Sequence, residues 1–300
     1  MEISTSTNIV AFTPGRMRNP MDFCIRQCAG GGYRVLDINF CEAMNPWSRM
    51  REEDWEVYVA ELAALGRECG IVFRQSHLPY YDIFRQPERN ATMEMLIERS
   101  IRASGMLGVR WAVTHPGTVY DSADPEVSMA ANLNYYRCHL ETARSCGIGL
   151  CLENDFGMVP GQPGRMLYCS DVRELTSLAD AFHDPEHMGI CYDFGHANLC
   201  PGADHRKNLN HIGHRLRALH VQDNHGSEDE HLMPFHGTID WKTCMEALAD
   251  IRYQGDLTFE IQEFGRYLPN DNKHLVVEYS RKVGDILLKM YRDRLRVNEI

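Results

Sequence analysis

Six residues able to bind a cation or move a proton stand at or near the ends of short apolar runs, each about one β/α repeat from the next: His77, His115, Glu153, Asp193, His220 within ALHVQD and Glu260 within LTFEIQ. Imidazoles and carboxylates without a cysteine among them are the ligands of borderline and hard divalent cations such as Zn, Mn, Fe, Co and Mg. Glu153, Asp193 and Glu260 gathered around His220 would repel one another in a buried site unless a cation lay between them, so these four are the expected metal site. His77 and His115 are either further ligands or groups that hydrogen-bond a bound substrate. The stretch MGICYDFGHANLC runs from an apolar strand into Asp193 and then into what reads as a loop carrying His196 and Asn198. In SEDEHLMPFHGTIDW, Asp229 and His231 share one face of an extended segment and are able to bind metal. Composition alone favours a solvated acidic loop there. Asp240 in the same stretch reads as a helix N-cap.

These residues converge only if the elements between them bring the strand ends to one place. Eight apolar, β-branched runs recur along the chain: STNIVAF, YRVLDINF, GIVFRQSH, VRWAVTH, GIGLCLEN, MGICYD, LRALHVQD and DLTFEIQ. Longer segments of helical periodicity separate most of them, including EEDWEVYVAELAALGREC, NATMEMLIERSIRASGML and AANLNYYRCHLETARSCG. Gly70, Gly108 and Gly147 close such segments where a helix end needs a residue at positive φ. Strand then helix, repeated eight times, predicts an α/β fold of parallel strands closed into a (β/α)8 TIM barrel, one domain over residues 1–300. An open doubly wound sheet would carry a glycine-rich phosphate loop after its first strand, which NIVAFTPGRMRNP is not. The C-terminal HLVVEYSRKVGDILLKMYRDRLRV predicts a long amphipathic helix that covers the barrel and offers a face for a homo-oligomer.

Composition bounds the setting. A chain of 300 residues that is 44% apolar suits one barrel-sized core. Its 11 cysteines form no Cys-x-x-Cys pair and no even framework, and the opening MEISTSTNIVAFTPG lacks a basic region followed by a long apolar run. A reduced, cytoplasmic protein is the expectation. No window reaches the roughly 18 unbroken apolar residues of a membrane span. The net charge of -11 argues against nucleic acid as partner, since such binders displace counterions with a basic surface.

Taken in order, SHLPY, THPG, CLEN, CYDFGHAN, LHVQDNHG, DEHLMPFHGTIDW and FEI resemble the xylose isomerase-like TIM-barrel superfamily, in particular its sugar phosphate isomerase/epimerase group. The likeness runs from about residue 70 to 261 and lies in order and spacing rather than in one motif. It implies one divalent ion held by Glu153, Asp193, His220 and Glu260, with Glu153 and Glu260 also the acid/base pair and His196 touching a substrate oxygen. The reaction implied is proton abstraction from a sugar or sugar phosphate through a metal-stabilised enediolate. A metal-dependent dehydratase or lyase would use the same first step. The sequence is also similar to the zinc-dependent apurinic endonucleases of the superfamily, whose three-zinc cluster implies a set here of His77, His115, Glu153, Asp193, His196, His220, Asp229, His231 and Glu260. The loop form and the acidic balance favour the sugar enzyme. Trp47 and Phe194 are candidates for walls of a sugar site, with packing the competing role, and Arg16 or Arg18 for a phosphate contact.

Overall fold

A computed structural model describes residues 1–13, 18–85 and 90–298. Eight strands form one parallel sheet: β1 (Ile3–Ser6), β2 (Val35–Asn39), β3 (Val72–His77), β4 (Trp111–Thr114), β5 (Gly149–Glu153), β6 (Met188–Asp193), β7 (Leu216–His220) and β8 (Leu257–Phe259). From β1 to β7 each strand pairs with the next in sequence, and β8 pairs with β1. The ring closes just beyond β7, where Val221 bridges to Phe259. There Val221 N–H donates to the Thr258 carbonyl at 2.8 Å and Glu260 N–H donates to the Val221 carbonyl at 3.1 Å. The expected (β/α)8 TIM barrel is therefore the observed architecture.

Helices fill the connections: α1 (Met21–Gly30), α2 (Trp55–Cys69), α3 (Asn90–Met106), α4 (Pro125–Ser145), α5 (Val172–Ala181), α6 (Phe194–Leu199), α7 (His205–Ile212), α8 (Trp241–Asp250) and α9 (His274–Asn298). The glycine after α2 lies at φ 66°, and Gly108 and Gly147 lie at 76° and 71°, as a turn from helix to strand requires. Asp240 caps α8 by accepting the Thr243 N–H. The buried face of α9, including Val276, Val283, Leu287 and Tyr291, repeats at helical spacing and lies against the barrel. No helix among the described residues is long and apolar enough to cross a membrane.

Two expectations fail locally. STNIVAF is not the first strand: β1 ends at Ser6, and Thr7–Val10 turns into a 3-10 helix with Ser6 accepting the Asn8 N–H. The apolar Ile9 and Val10 are buried there by packing rather than by sheet pairing. The segment after β6 is not a loop but the helix α6, with Asp193 as its N-cap.

The main core lies between strands and helices, whereas the barrel interior holds only a small apolar cluster of Val113, Cys151, Cys191 and Ala218 beside Trp111. Space for a large ring on the barrel floor comes from a residue without a side chain. A Cβ at Gly149 would collide with the Trp111 ring. Above this floor the interior is polar, with Asp37, Gln75, Thr258, Glu153, Asp193, His220 and Glu260 all buried.

One buried carboxylate organises the connection from β7 to α8. Asp223 accepts the N–H groups of Asn224 (2.9 Å), Phe235 (3.0 Å) and Ile239 (3.2 Å) and the indole N–H of Trp241 (2.9 Å). Its backbone also exchanges two bonds with Leu232. Asp223→Ala strands these donors in a dry site, and we expect it to lower stability by about 3–5 kcal/mol in urea unfolding.

Candidate metal centre

Inward-facing positions alternate along each strand, so the last inward residue of each strand meets the others at the C-terminal mouth of the barrel. Glu153 from β5, Asp193 from β6, His220 from β7 and Glu260 just past β8 each offer one donor atom, and all these atoms lie within 4.8 Å of one another. His77, Glu153 and His220 satisfy the same condition, as do His196, Asp229 and His231. Glu153 is the hub. Its Oε1 lies 2.7 Å from His220 Nδ1, while its Oε2 faces His115 Nε2 at 3.0 Å and His77 Nε2 at 3.4 Å. Glu260 Oε2 lies 3.3 Å from the same His220 nitrogen, and its Oε1 accepts from Asn8 Nδ2 at 3.1 Å.

Backing groups set which ring nitrogen each histidine turns inward. His77 rests Nδ1 on the Leu78 carbonyl at 2.7 Å, His196 on the Asn154 carbonyl at 3.0 Å and His231 on the Glu260 carbonyl at 2.8 Å. A carbonyl only accepts, so Nδ1 carries the proton in all three and Nε2 faces the site. His231 Nε2 lies 2.8 Å and His196 Nε2 3.8 Å from Asp229 Oδ2. Asn154 fixes the end of β6 by bonding both the N–H and the carbonyl of Asp193. Gln222 Nε2 bridges Asp193 Oδ1 (3.3 Å) and Asp229 Oδ1 (2.7 Å). Gly195 lets α6 press onto this glutamine, because a Cβ there would occupy the Gln222 amide. His231 itself sits at φ 45°, a conformation that costs a non-glycine residue about 1 kcal/mol and is held by these contacts.

The electrostatics follow from burying many charges together. Burial opposes ionisation of His220 and His196, yet the surrounding carboxylates outweigh it and hold both imidazoles well above their ordinary range. Burial likewise opposes a charged His231, but its hydrogen bond to Asp229 raises its pKa to about 9. Glu153 is held well below its usual value, against the pull of burial, by His220 and His115, and Asp229 is held low by His196 and His231. Asp193 goes the other way: burial pushes its carboxyl up to about 6. Without another cation, protons on the imidazoles are what neutralise this cluster.

The donor set fits a divalent ion. Asp193 Oδ2 is buried with no hydrogen-bond partner, and Glu153 Oε2 approaches two imidazoles without hydrogen-bond geometry. Oxygens left in this state are what a cation would satisfy.

Glu153, Glu260, Asp193, His220, His196, His77, His115, Asp229 and His231 thus share one mouth. Asp229 and His231 overturn the reading of a solvated acidic loop: Asp223 folds that segment back and buries His231. Phe194 is no wall of a site, since it is fully buried against Tyr192 and Trp241. Trp47 is 86% exposed. Arg16 lies outside the described residues, and the Arg18 guanidinium stacks on Phe12 at 4.7 Å. The rim instead uses Tyr80, its ring tilted against His115 with centroids 4.5 Å apart, and Phe156, tilted against His196 at 4.4 Å. Sequence reading missed both, along with Asn8, Asp37, Gln75, Asn154 and Gln222. The signal available for Asp37 was a lone carboxylate inside the apolar run YRVLDINF.

Comparison with known proteins places this geometry in context. The family profile described as xylose isomerase-like TIM barrel matches residues 25–279. An uncharacterized protein y4fM of Sinorhizobium fredii is 37% identical over 93 residues, 31% of this chain and 29% of that protein. The chain therefore spans less than a third of that relative's length. A probable endonuclease 4 of Halorhodospira halophila is 28% identical over 237 residues, covering 71% of this chain and 76% of that protein. Among solved structures, a D-tagatose 3-epimerase-like protein superposes with TM-score 0.74 over 98% of this chain and 100% of its own, at 18% identity, which is a likeness of fold.

The charged histidines have a consequence for the metal-free protein. Because the folded pKa of His231 is raised to about 9 from an ordinary 6.5, its contribution is complete below pH 6.5 and is lost as pH climbs through 9. Urea midpoints of chelator-treated protein should fall across that window by on the order of 3 kcal/mol in unfolding free energy, and His231→Gln should flatten the slope.

Proposed function

Since the chain belongs to the xylose isomerase-like TIM barrel family, we propose that it is a divalent-metal-dependent isomerase or epimerase acting on a sugar or sugar phosphate. The observation that carries the reading is the pair of glutamates, Glu153 and Glu260, approaching the single His220 nitrogen from different strands at 2.7 and 3.3 Å. Glu153, Asp193, His220 and Glu260 would hold the ion. When bound, it supplies a Lewis acid that draws charge from substrate oxygens and acidifies the neighbouring carbon. The residues do the rest. One glutamate takes the proton from that carbon, and the other returns one from the opposite side. Glu153 Oε2, the oxygen with no hydrogen bond, is free for this task. His196, its Nδ1–H committed to Asn154, presents Nε2 to the oxygen on which charge develops. Tyr80 and Phe156 offer faces for the apolar side of a sugar ring.

The solved D-tagatose 3-epimerase-like protein supports this choice by its fold. A second reading, a three-zinc phosphodiesterase, draws support from the His196–Asp229–His231 group and the endonuclease relative. The net charge of -11 weighs against it, because a duplex demands a basic surface. On the front connections Arg49 and Arg266 are paired with Glu61 and Glu263, and Arg165 donates to backbone carbonyls.

The test is solvent-proton exchange. Incubated in heavy water with Mn and a panel of ketoses and ketose phosphates, the protein should place deuterium on substrate carbon, read by NMR. Glu153→Gln and Glu260→Gln should each cut the rate about 10²–10⁴-fold without unfolding the chain. Full exchange in either variant would remove that glutamate from the mechanism. Chelation should abolish exchange and added metal restore it, whereas three bound zinc ions per chain with cleavage of abasic duplex DNA would favour the second reading.

A further inference from the structure

His220 is backed unlike the other histidines of the mouth. His77, His196 and His231 each rest on a backbone carbonyl. His220 turns Nδ1 to Glu153 and Glu260 and Nε2 to a carboxylate, Asp37 Oδ2 at 3.4 Å. Asp37 lies in the middle of β2, fully buried, facing into the barrel between Leu36 and Ile38, which belong to the core outside it. The same Oδ2 accepts from Gln75 Nε2 at 2.8 Å. Gln75 is itself held by Thr258 Oγ1, which donates to its Oε1 at 3.4 Å. Among the described residues the ion pair of Asp37 is with His220 alone, and its Oδ1 has no hydrogen-bond partner.

A carboxylate with no lysine or arginine beside it is an expensive group to place in a barrel interior. For packing alone, an apolar residue on β2 would serve better. The arrangement Thr258–Gln75–Asp37–His220 runs through the polar interior to the mouth and ends on a candidate ligand. We propose that Asp37 is a positioning residue of the metal centre, accepting the Nε2–H of His220 so that Nδ1 is the ligating atom and the ring keeps one orientation. A carboxylate in this place also makes the imidazole a stronger donor than a carbonyl would, so Asp37 sets how tightly the ion is held. The inference rests on the metal reading above and adds a residue that acts through His220 without touching ion or substrate.

The experiment uses the full chain stripped by chelator and titrated with Co²⁺ against a competing chelator. Asp37→Asn and Asp37→Ala should weaken Co²⁺ binding about 10–100-fold and alter the ligand-field spectrum. The melting temperature of the metal-free variants should stay near that of the parent, which a merely structural role would not predict. A measurement on unaltered protein guards against a variant that does not fold. In Zn²⁺-loaded chain carrying ¹⁵N-histidine, His220 should carry its proton on Nε2, downfield and slow to exchange. Parent-like affinity and spectrum in a folded Asp37→Asn, or a proton on Nδ1 of His220 in the unaltered chain, would overturn the role of Asp37 while leaving the metal reading intact. An unaltered chain that takes up no Co²⁺ would overturn both.

Discussion

Buried negative charge is the constraint on which the rest of this molecule turns. Glu153, Asp193 and Glu260 lie within a few ångströms of one another, with Asp37 a layer below, and among the described residues every ion pair these carboxylates make is with a histidine. Removing several carboxylates from water is tolerated only when positive charge accompanies them. Imidazoles are suited to that duty because they give the proton up when a better cation arrives. The polar interior and its hydrogen-bonding partners follow from this one demand, since every ring must be aimed and most of the remaining polar atoms satisfied.

The barrel meets the demand with short-range devices rather than long ones. Asn154 ties β5 to β6, Gln222 ties Asp193 to Asp229, and Asp223 folds a long connection inward by accepting four hydrogen bonds. That fold-back carries His231 into the mouth in a left-handed conformation, a small strain absorbed by the bonds around it. The opposite end of the barrel is plugged by Trp111 over Gly149, so the polar groups stack toward one mouth only. A rigid floor and a polar upper layer divide stability from chemistry along the barrel axis.

Much of this was legible in the chain. Strand-end residues such as Glu153 and His115 close strongly apolar runs, and the alternation of runs with helical segments dictates that their ends meet. Where pattern was weak the reading failed for physical reasons. Ile9 and Val10 are buried as a strand would bury them, although a 3-10 turn carries them, and hydrophobicity does not distinguish the two. Six residues of α6 are too few to express a helical period, and their helix is set by the Asp193 cap. Asp229 and His231 have the composition of solvated loop, and the hydrogen bonds of Asp223, Gln222 and the Glu260 carbonyl bring them inside. Gln75 is invisible to pattern because its partners lie on other strands, and the lone carboxylate of Asp37 in an apolar run marks a position without naming its partner.

The joint between β7 and β8 links architecture to cargo. Two backbone hydrogen bonds sew it, around Val221, and they belong to the neighbours of His220 and to Glu260 itself. The thinnest stitch in the cylinder is therefore made by the very residues that would grip a cation. An ion lodged there would act as a rivet across the seam, and a chain whose last strand had not yet docked would possess half a grip. In a chain that takes up such an ion, ring completion and cation capture would be one cooperative event, with the final β-strand as its latch.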